Sequence, residues 1–250
     1  MSGHGRIVAI VQARTGSSRL PRKVLRPLQG RPMLGHIIER IGRAKRVDVI
    51  AIATTDLPED QEILELARRH GVEGFAGPAA DVLARYHLAA REHAANVIVR
   101  VGGDEPLLDP ATVDLMVSRH LESGADYTDN CRMVRSFPGG LVVEVISRLT
   151  LDRIARVAQE PHQREHVTPY LYEHPEEFKI TLVEAEGDLR RPELRLTVDT
   201  PEDFRLVEAI YQALWASGEI IDVRRAIRFL DGRPDLVRLN AHVRQRGARG

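Results

Sequence analysis

Short unbroken apolar runs alternate with longer stretches in which apolar side chains return every three or four residues, and this rhythm fills the first half of the 250-residue chain. The run RIVAIV at 6–11, with Gly5 before it, reads as a buried strand. From Pro32, a good first helical residue, MLGHIIERIGRA places apolar side chains at helical intervals. VDVIAIA at 47–53 predicts a second strand, and 58–70 a second helix ended by Gly71. A brief strand follows at 72–76, then a helix opened by Asp81 and running to about 95. A fourth strand is expected at 96–101 (NVIVRV), and Asp109-Pro110 opens another helix through His120.

Such alternation implies right-handed β-α-β crossovers, hence an α/β fold: three layers, α/β/α, around a mostly parallel sheet. The second half is mixed. Strands are expected at 140–146 and 178–183, helices at 147–158 and 161–172, and a last strand at 194–198 before a helix over 201–215. The tail, 222–250, is basic and in part helical. With no repeat or linker, 1–250 reads as one domain, and Gly139-Gly140 marks 130–146 as the place for an insertion or dimer arm.

Composition works by exclusion. Aromatics at 4% leave few rings for stacking nucleobases, and 36 basic residues balance 36 acidic ones, so nucleic acid is not an expected partner. The single Cys131 excludes an internal disulfide and reads as a small half-buried apolar residue. No apolar run approaches the ~20 residues of a membrane span, and 1–6 lacks a signal pattern. The expectation is a cytoplasmic protein with no membrane partner. The distribution of charge says more than its sum: Glu39 is the first acidic residue, after Arg6, Arg14, Arg19, Arg22, Lys23, Arg26 and Arg31. A neutral chain that keeps carboxylates out of one segment has an anion to hold there.

Ligands of open α/β sheets lie beyond the carboxyl ends of the strands. The segment after the first strand is QARTGSSRLPRK, 12–23. Gly16 is expected to make a turn that other residues resist, with an anion-binding nest of amides around it. Ser17 and Ser18 add hydroxyl donors, Arg14 and Arg19 forked donors, and Lys23 a point charge. A triphosphate needs this combination. Neither a GxxxxGK[ST] nor a GxGxxG loop is present.

Two acidic motifs follow strands far apart in the chain. GGDEPLLDP places Asp104 at the end of a central strand behind two glycines, a setting for a magnesium (Mg2+) ligand. VDTPEDF places Asp199 ahead of Thr200 and Pro201, where it reads equally as a metal ligand or a helix cap. Glu105, Asp109 and Asp203 read as turn and capping residues.

The run QARTGSSRLPRKVLRPLQGRPML, with GDEPLLDP and VDTPEDF, resembles the sugar-activating cytidylyltransferases, which include the CMP-sialic acid and CMP-KDO synthetases. More closely it is similar to the spore-coat polysaccharide biosynthesis protein F family, through AADVLARY (79–86), REHVTPYLY (164–172) and RLNAHV (238–243) as well. The resemblance implies a nucleotide-diphospho-sugar transferase-like fold, CTP as donor and a sugar-type acceptor. It also implies a homodimer, backbone near Gln12 and Ala13 facing the base, and Asp104 and Asp199 as metal ligands. Arg14, Arg19 and Lys23 would hold the triphosphate; Arg14, Lys23, Asp104 and Asp199 form the expected catalytic set. Asp81 and Arg85 share a helical face; they read either as a surface pair or as pointing at acceptor and nucleotide, respectively. His166 falls on the acceptor side. Gly102 stands where the KDO enzymes have Gln, so the resemblance does not name KDO as the acceptor.

HQREH at 162–166 spells a zinc motif, but within REHVTPY it reads as a polar helix face. Two rivals remain. A metal-dependent glycosyltransferase using a finished nucleotide sugar would usually carry Asp-x-Asp, where this chain has Asp104-Glu105. A non-catalytic nucleotide-binding module would be expected to have lost a cation or an acid that is present here.

Overall fold

The computed structural model describes residues 5–244. The chain begins with β1 (Ile7–Gln12), a two-residue ladder of β2 (Pro27–Leu28) and β3 (Arg31–Pro32), and α1 (Met33–Ile41). β4 (Val49–Thr55), α2 (Gln61–Arg69), β5 (Glu73–Gly77), α3 (Val82–Glu92), β6 (Val97–Gly102) and α4 (Pro110–Ser123) complete the alternating half. Next come β7 (Tyr127–Asp129), β8 (Glu144–Ser147), α5 (Arg148–Val157), α6 (Pro161–His166), α7 (Pro169–Glu173) and β9 (Ile180–Leu182). The described chain closes with α8 (Pro201–Leu214), α9 (Val223–Asp231) and α10 (Pro234–Val237); 245–250 of the expected tail lie outside the described residues.

Seven strands form one sheet in the order β5-β4-β1-β6-β8-β7-β9. Only β8 runs against its neighbours, β6 and β7. β1 is apolar at every position from Ile7 to Val11 because both its faces are covered. Ile7, Ala9 and Val11 meet α1, α2 and α4 through Leu34, Ile37, Ile63, Leu66, Val113 and Met116. Val8 and Ile10 meet α3 and α5 through Leu83, Tyr86, Leu151 and Ile154. The three expected layers are therefore present. A third cluster joins Leu28, Phe137, Leu141 and Leu196 to α8 and α9, and seats the C-terminal helices beside the sheet.

Several expectations are corrected. The helix predicted over 161–172 is two short helices broken at Val167 (φ 73°), because the ring of Pro169 would collide with the carbonyl four residues back. The strand predicted at 194–198 makes one isolated bridge, Arg195 to Gly139. Its amides go to loops instead: Leu196 N–H to Gly139 O (2.6 Å) and Val198 N–H to Asp104 O (2.8 Å). The 140–146 strand begins only at Glu144, since Gly139-Gly140 folds against 194–197. Gly140 has φ 101°, and a Cβ there would lie 2.5 Å from the Thr197 nitrogen, so close backbone approach demands glycine. β7 and the β2–β3 ladder went unpredicted. Among the described residues no helix is long and apolar enough to cross a membrane.

His120 on α4 is buried against β7, its Nδ1 3.0 Å from Thr128 Oγ1. Burial, only partly opposed by Asp126, pulls its pKa from 6.5 to about 4. In that window the unfolded chain binds a proton that the fold does not. The contribution is intact above the unfolded value and is lost as pH falls toward the folded one. At pH 5 the protein should be ~2 kcal/mol less stable from this residue than at pH 7.5. Urea denaturation of His120→Asn at both pH values should show a correspondingly smaller difference; an unchanged pH dependence would count against it.

Candidate active site

The carboxyl ends of β1 and β6 open into a cavity of about 540 Å³. Its wall includes Gln12, Ala13, Arg14, Gly16, Ser17, Ser18, Arg19, Lys23, Arg85, Asp104, His166 and Asp199; of the residues expected in the site, only Asp81 is missing. The 12–23 loop owes its shape to an acid the sequence reading passed over. Asp60, buried after β4, accepts from Thr15 N–H (2.7 Å), Thr15 Oγ1 (2.6 Å) and the Thr55 hydroxyl. Burial opposes its charge, yet these hydrogen bonds hold its pKa below the ordinary value. Gly16 does not make the expected turn: its φ is not positive and a Cβ would meet nothing within 4 Å. The left-handed residue is Arg22 (φ 56°), whose N–H donates to Thr15 O at 3.0 Å. Ser17 is partly a turn-former, its Oγ accepting from Leu20 N–H at 3.4 Å.

Lys23, Asp104 and Asp199 converge on one nitrogen. Lys23 Nζ donates to Asp104 Oδ2 (2.8 Å), Asp199 Oδ1 (2.8 Å) and Val198 O (3.0 Å). Burial alone would lower the lysine pKa, but the two carboxylates outweigh it and raise it. Burial likewise disfavours charge on Asp199, and Lys23, Arg19 (3.2 Å) and Arg195 (2.9 Å) overcome it, leaving the carboxyl below its usual range. Oxygen donors from two carboxylates and a carbonyl, already gathered around a cation, match what a hard divalent metal requires. Asp199 is not the cap of α8: Thr200 is, in a capping box with Asp203.

Asp203 does more than cap. It accepts from Asp199 N–H (3.0 Å), Arg195 Nε (2.8 Å) and Asn240 Nδ2 (2.9 Å), so the RLNAHV segment braces Asp199 from behind. The RLNAHV resemblance had marked this segment, but sequence reasoning gave Asn240 itself no role. On the other side Gly103 N–H donates to Gln12 O at 2.8 Å, and a Cβ at Gly103 would lie 2.6 Å from that oxygen. The loop carrying Asp104 is gripped by Arg40 Nε on Leu108 O (2.5 Å) and by Tyr211 OH on Pro106 O (2.6 Å). Glu105 opens a turn as expected, its carbonyl accepting from Leu108 N–H at 3.0 Å. It is buried with Oε2 unpartnered, and burial together with Asp104 pushes its carboxyl well above the ordinary range. Asp109 does cap α4.

Farther along the cavity, Arg100 pairs with buried Glu144 and reaches Gln12 Oε1 at 3.3 Å. Burial would raise the Glu144 carboxyl, but Arg100 and Arg132 hold it down to about 2. Arg85 borders the cavity with Nη2 turned to the carbonyls of Pro78 (2.9 Å) and Ala79 (3.0 Å). Asp81 caps α3 through Ala84 N–H (2.8 Å) and pairs with Arg164 rather than Arg85, tying α3 to α6. His162 Nε2 lies 2.8 Å from Glu173, while His166 borders the cavity, so the two rings of the zinc-like motif go separate ways.

Residues 8–220 match the family model described as a cytidylyltransferase. The chain belongs to the cytidylyltransferase family. It is 39% identical to an uncharacterised protein of Methanocaldococcus jannaschii, over 98% of each chain. It is 36% identical to the spore coat polysaccharide biosynthesis protein SpsF of Bacillus subtilis, over 92% of this chain and 95% of that one. A solved cytidylyltransferase from Leptospira borgpetersenii superposes with a TM-score of 0.88 at 30% identity, covering 94% of this chain and 97% of that one. Membership in the cytidylyltransferases decides for a CTP-using nucleotidyltransferase over the two rivals the sequence left open.

Removing the brace behind Asp199 gives a first test of this geometry. Asn240→Ala deletes donors to Arg195 O (2.9 Å) and to the buried Asp203 carboxylate. The expected loss is ~2 kcal/mol of stability, since one partner is charged. Turnover of CTP should fall as well, measured where the variant is still folded by circular dichroism. Full activity in a folded Asn240→Ala variant would show that Asp199 does not depend on this brace.

Proposed function

We propose that the protein transfers CMP from CTP to a sugar or sugar-acid acceptor in surface polysaccharide biosynthesis, with magnesium held by Asp104 and Asp199. The observation that carries this reading is the meeting of Lys23, Asp104 and Asp199 at a single nitrogen beside the 12–23 loop. The name of the Bacillus subtilis relative supports the polysaccharide context.

In this reading the triphosphate lies along the loop, where Arg14 and Arg19 face the cavity and can fork onto non-bridging oxygens. An oxygen of the acceptor attacks the α-phosphorus in line, and the bond to the bridging oxygen breaks to release pyrophosphate. The arginines offset charge that builds on the phosphates, from positions fixed before substrate arrives. Magnesium, when bound, would neutralise phosphate charge and lower the pKa of the attacking group. His166 borders the acceptor end. Burial, with Arg100 and Arg132 nearby and against Glu165, shifts its ring toward the neutral form, able to accept a hydrogen bond from a sugar hydroxyl.

Two outcomes are expected. With magnesium present, CTP should raise the melting temperature well above the effect of UTP or GTP, because loop backbone near Ala13 reads the base. Equal shifts from all three would remove that base-reading role. Asp104→Asn and Asp199→Asn should each cut pyrophosphate release, in a screen of sugar acids and amino sugars, by ~10²-fold or more. Unchanged turnover in both variants would end the two-acid assignment.

A further inference from the structure

An ammonium carries three N–H donors, and Lys23 has committed all three. Two go to the acids and one to the Val198 carbonyl. While it stays there it has nothing left for a phosphate. A divalent cation bridging the two acids would need the position between Asp104 Oδ2 and Asp199 Oδ1 that the ammonium fills, 2.8 Å from each, and two positive charges drawn to one position repel. Lys23 and a bridging metal ion therefore compete for that position.

The surroundings make the exchange feasible. Lys23 rises from a short 3-10 turn, Lys23–Leu25, whose Val24 is fixed in the core, so the backbone is held while the four-carbon side chain can pivot. The side chain is 14% exposed, and it borders the cavity that also holds Arg14 and Arg19. If the ammonium leaves, Asp199 keeps Arg19 and Arg195, whereas the only ion pair described for Asp104 is the one with Lys23. The uncompensated charge then appears on Asp104, where a metal would replace it.

We propose that Lys23 is a built-in counter-ion that competes with the divalent cation for the Asp104–Asp199 pair, and that nucleotide phosphates draw it away, so the metal site opens only when nucleotide is present. This rests on the two-acid metal site proposed above. Without nucleotide the ammonium keeps the acids close and blocks adventitious cations. With nucleotide the same positive charge is passed to the triphosphate while the metal takes the acids.

Manganese(II) binding to the full chain, followed by electron paramagnetic resonance, reads this without any turnover. The wild type alone should bind Mn2+ weakly, and at least ~10-fold more tightly with α,β-methylene-CTP. Lys23→Met alone should bind Mn2+ ~10-fold more tightly than wild type, because charge-assisted contacts no longer have to be broken first. Lys23→Gln, which keeps donors but no charge, should behave likewise and guards against a fold lost in Lys23→Met. Either neutral variant, folded, binding Mn2+ no better than wild type would overturn the proposal while leaving the metal site standing. Undiminished Mn2+ binding in Lys23→Met with Asp104→Asn would instead sink the metal assignment, and the exchange with it.

Discussion

Everything at the site turns on one ammonium between two carboxylates. Asp104 and Asp199 come from different loops, and like charges brought together in a partly desolvated place disfavour ionisation of both. Lys23 removes that penalty at 2.8 Å from each, and Arg19 and Arg195 reinforce it on the Asp199 side. The fold must therefore bring three loops to a single point, and most of the buried polar contacts around the cavity do that. Asp60 holds the first loop, Arg40 and Tyr211 hold the second, and Asp203 with Asn240 holds the third. These supports are met by backbone groups, hydroxyls or opposite charges, the condition under which burying them is tolerated, although Nη1 of Arg40 is buried without a hydrogen-bond partner.

The central sheet supplies the rigid frame for this. β1 and β6 are parallel, with Gln12 level with Gly102, so both following loops leave the sheet at the same height. Gly103 then lets the second loop approach the first to within hydrogen-bond distance. α8 and α9 belong to a separate apolar cluster, yet α8 is capped by Thr200, one residue after Asp199. Packing of the C-terminal helices thus sets where the second acid lies. The link runs through the Asp199–Thr200 peptide bond and through the Asp203 carboxylate, which accepts from Asp199 N–H at 3.0 Å.

What was legible in the sequence was what local patterns encode. Strand and helix periods, the caps Asp81 and Asp109, the capping role of Asp203, and a cationic loop without carboxylates all follow from residues close together in the chain. Lys23 was read against phosphate alone because the acids beside it in the fold lie 81 and 176 positions away, and no periodicity reports which loops meet. Asp60 and Asn240 escaped for the same reason. Leu194, Leu196 and Val198 alternate as a strand would, but that alternation records burial on one side, which a loop wedged against Gly139 and Asp104 satisfies equally. β7 has three residues, too few for any period to show.

Arg100 and Glu144 pose the remaining question of why a salt bridge is buried between adjacent strands. They are directly opposed in the antiparallel β6–β8 pair, and Tyr127 OH on β7 donates to Glu144 at 2.5 Å. A buried ion pair rarely adds stability over apolar residues of the same volume, because desolvation costs about what attraction returns. Its effect here is directional. Arg100 also holds the carboxamide oxygen of Gln12 on the cavity wall, and Glu144 keeps Arg132 within 3.8 Å on the same wall. Apolar replacements could fill the space between the strands, but they would leave Gln12 and Arg132 without fixed orientations. The charge pair is therefore better understood as the mount for the cavity wall than as a contribution to the core.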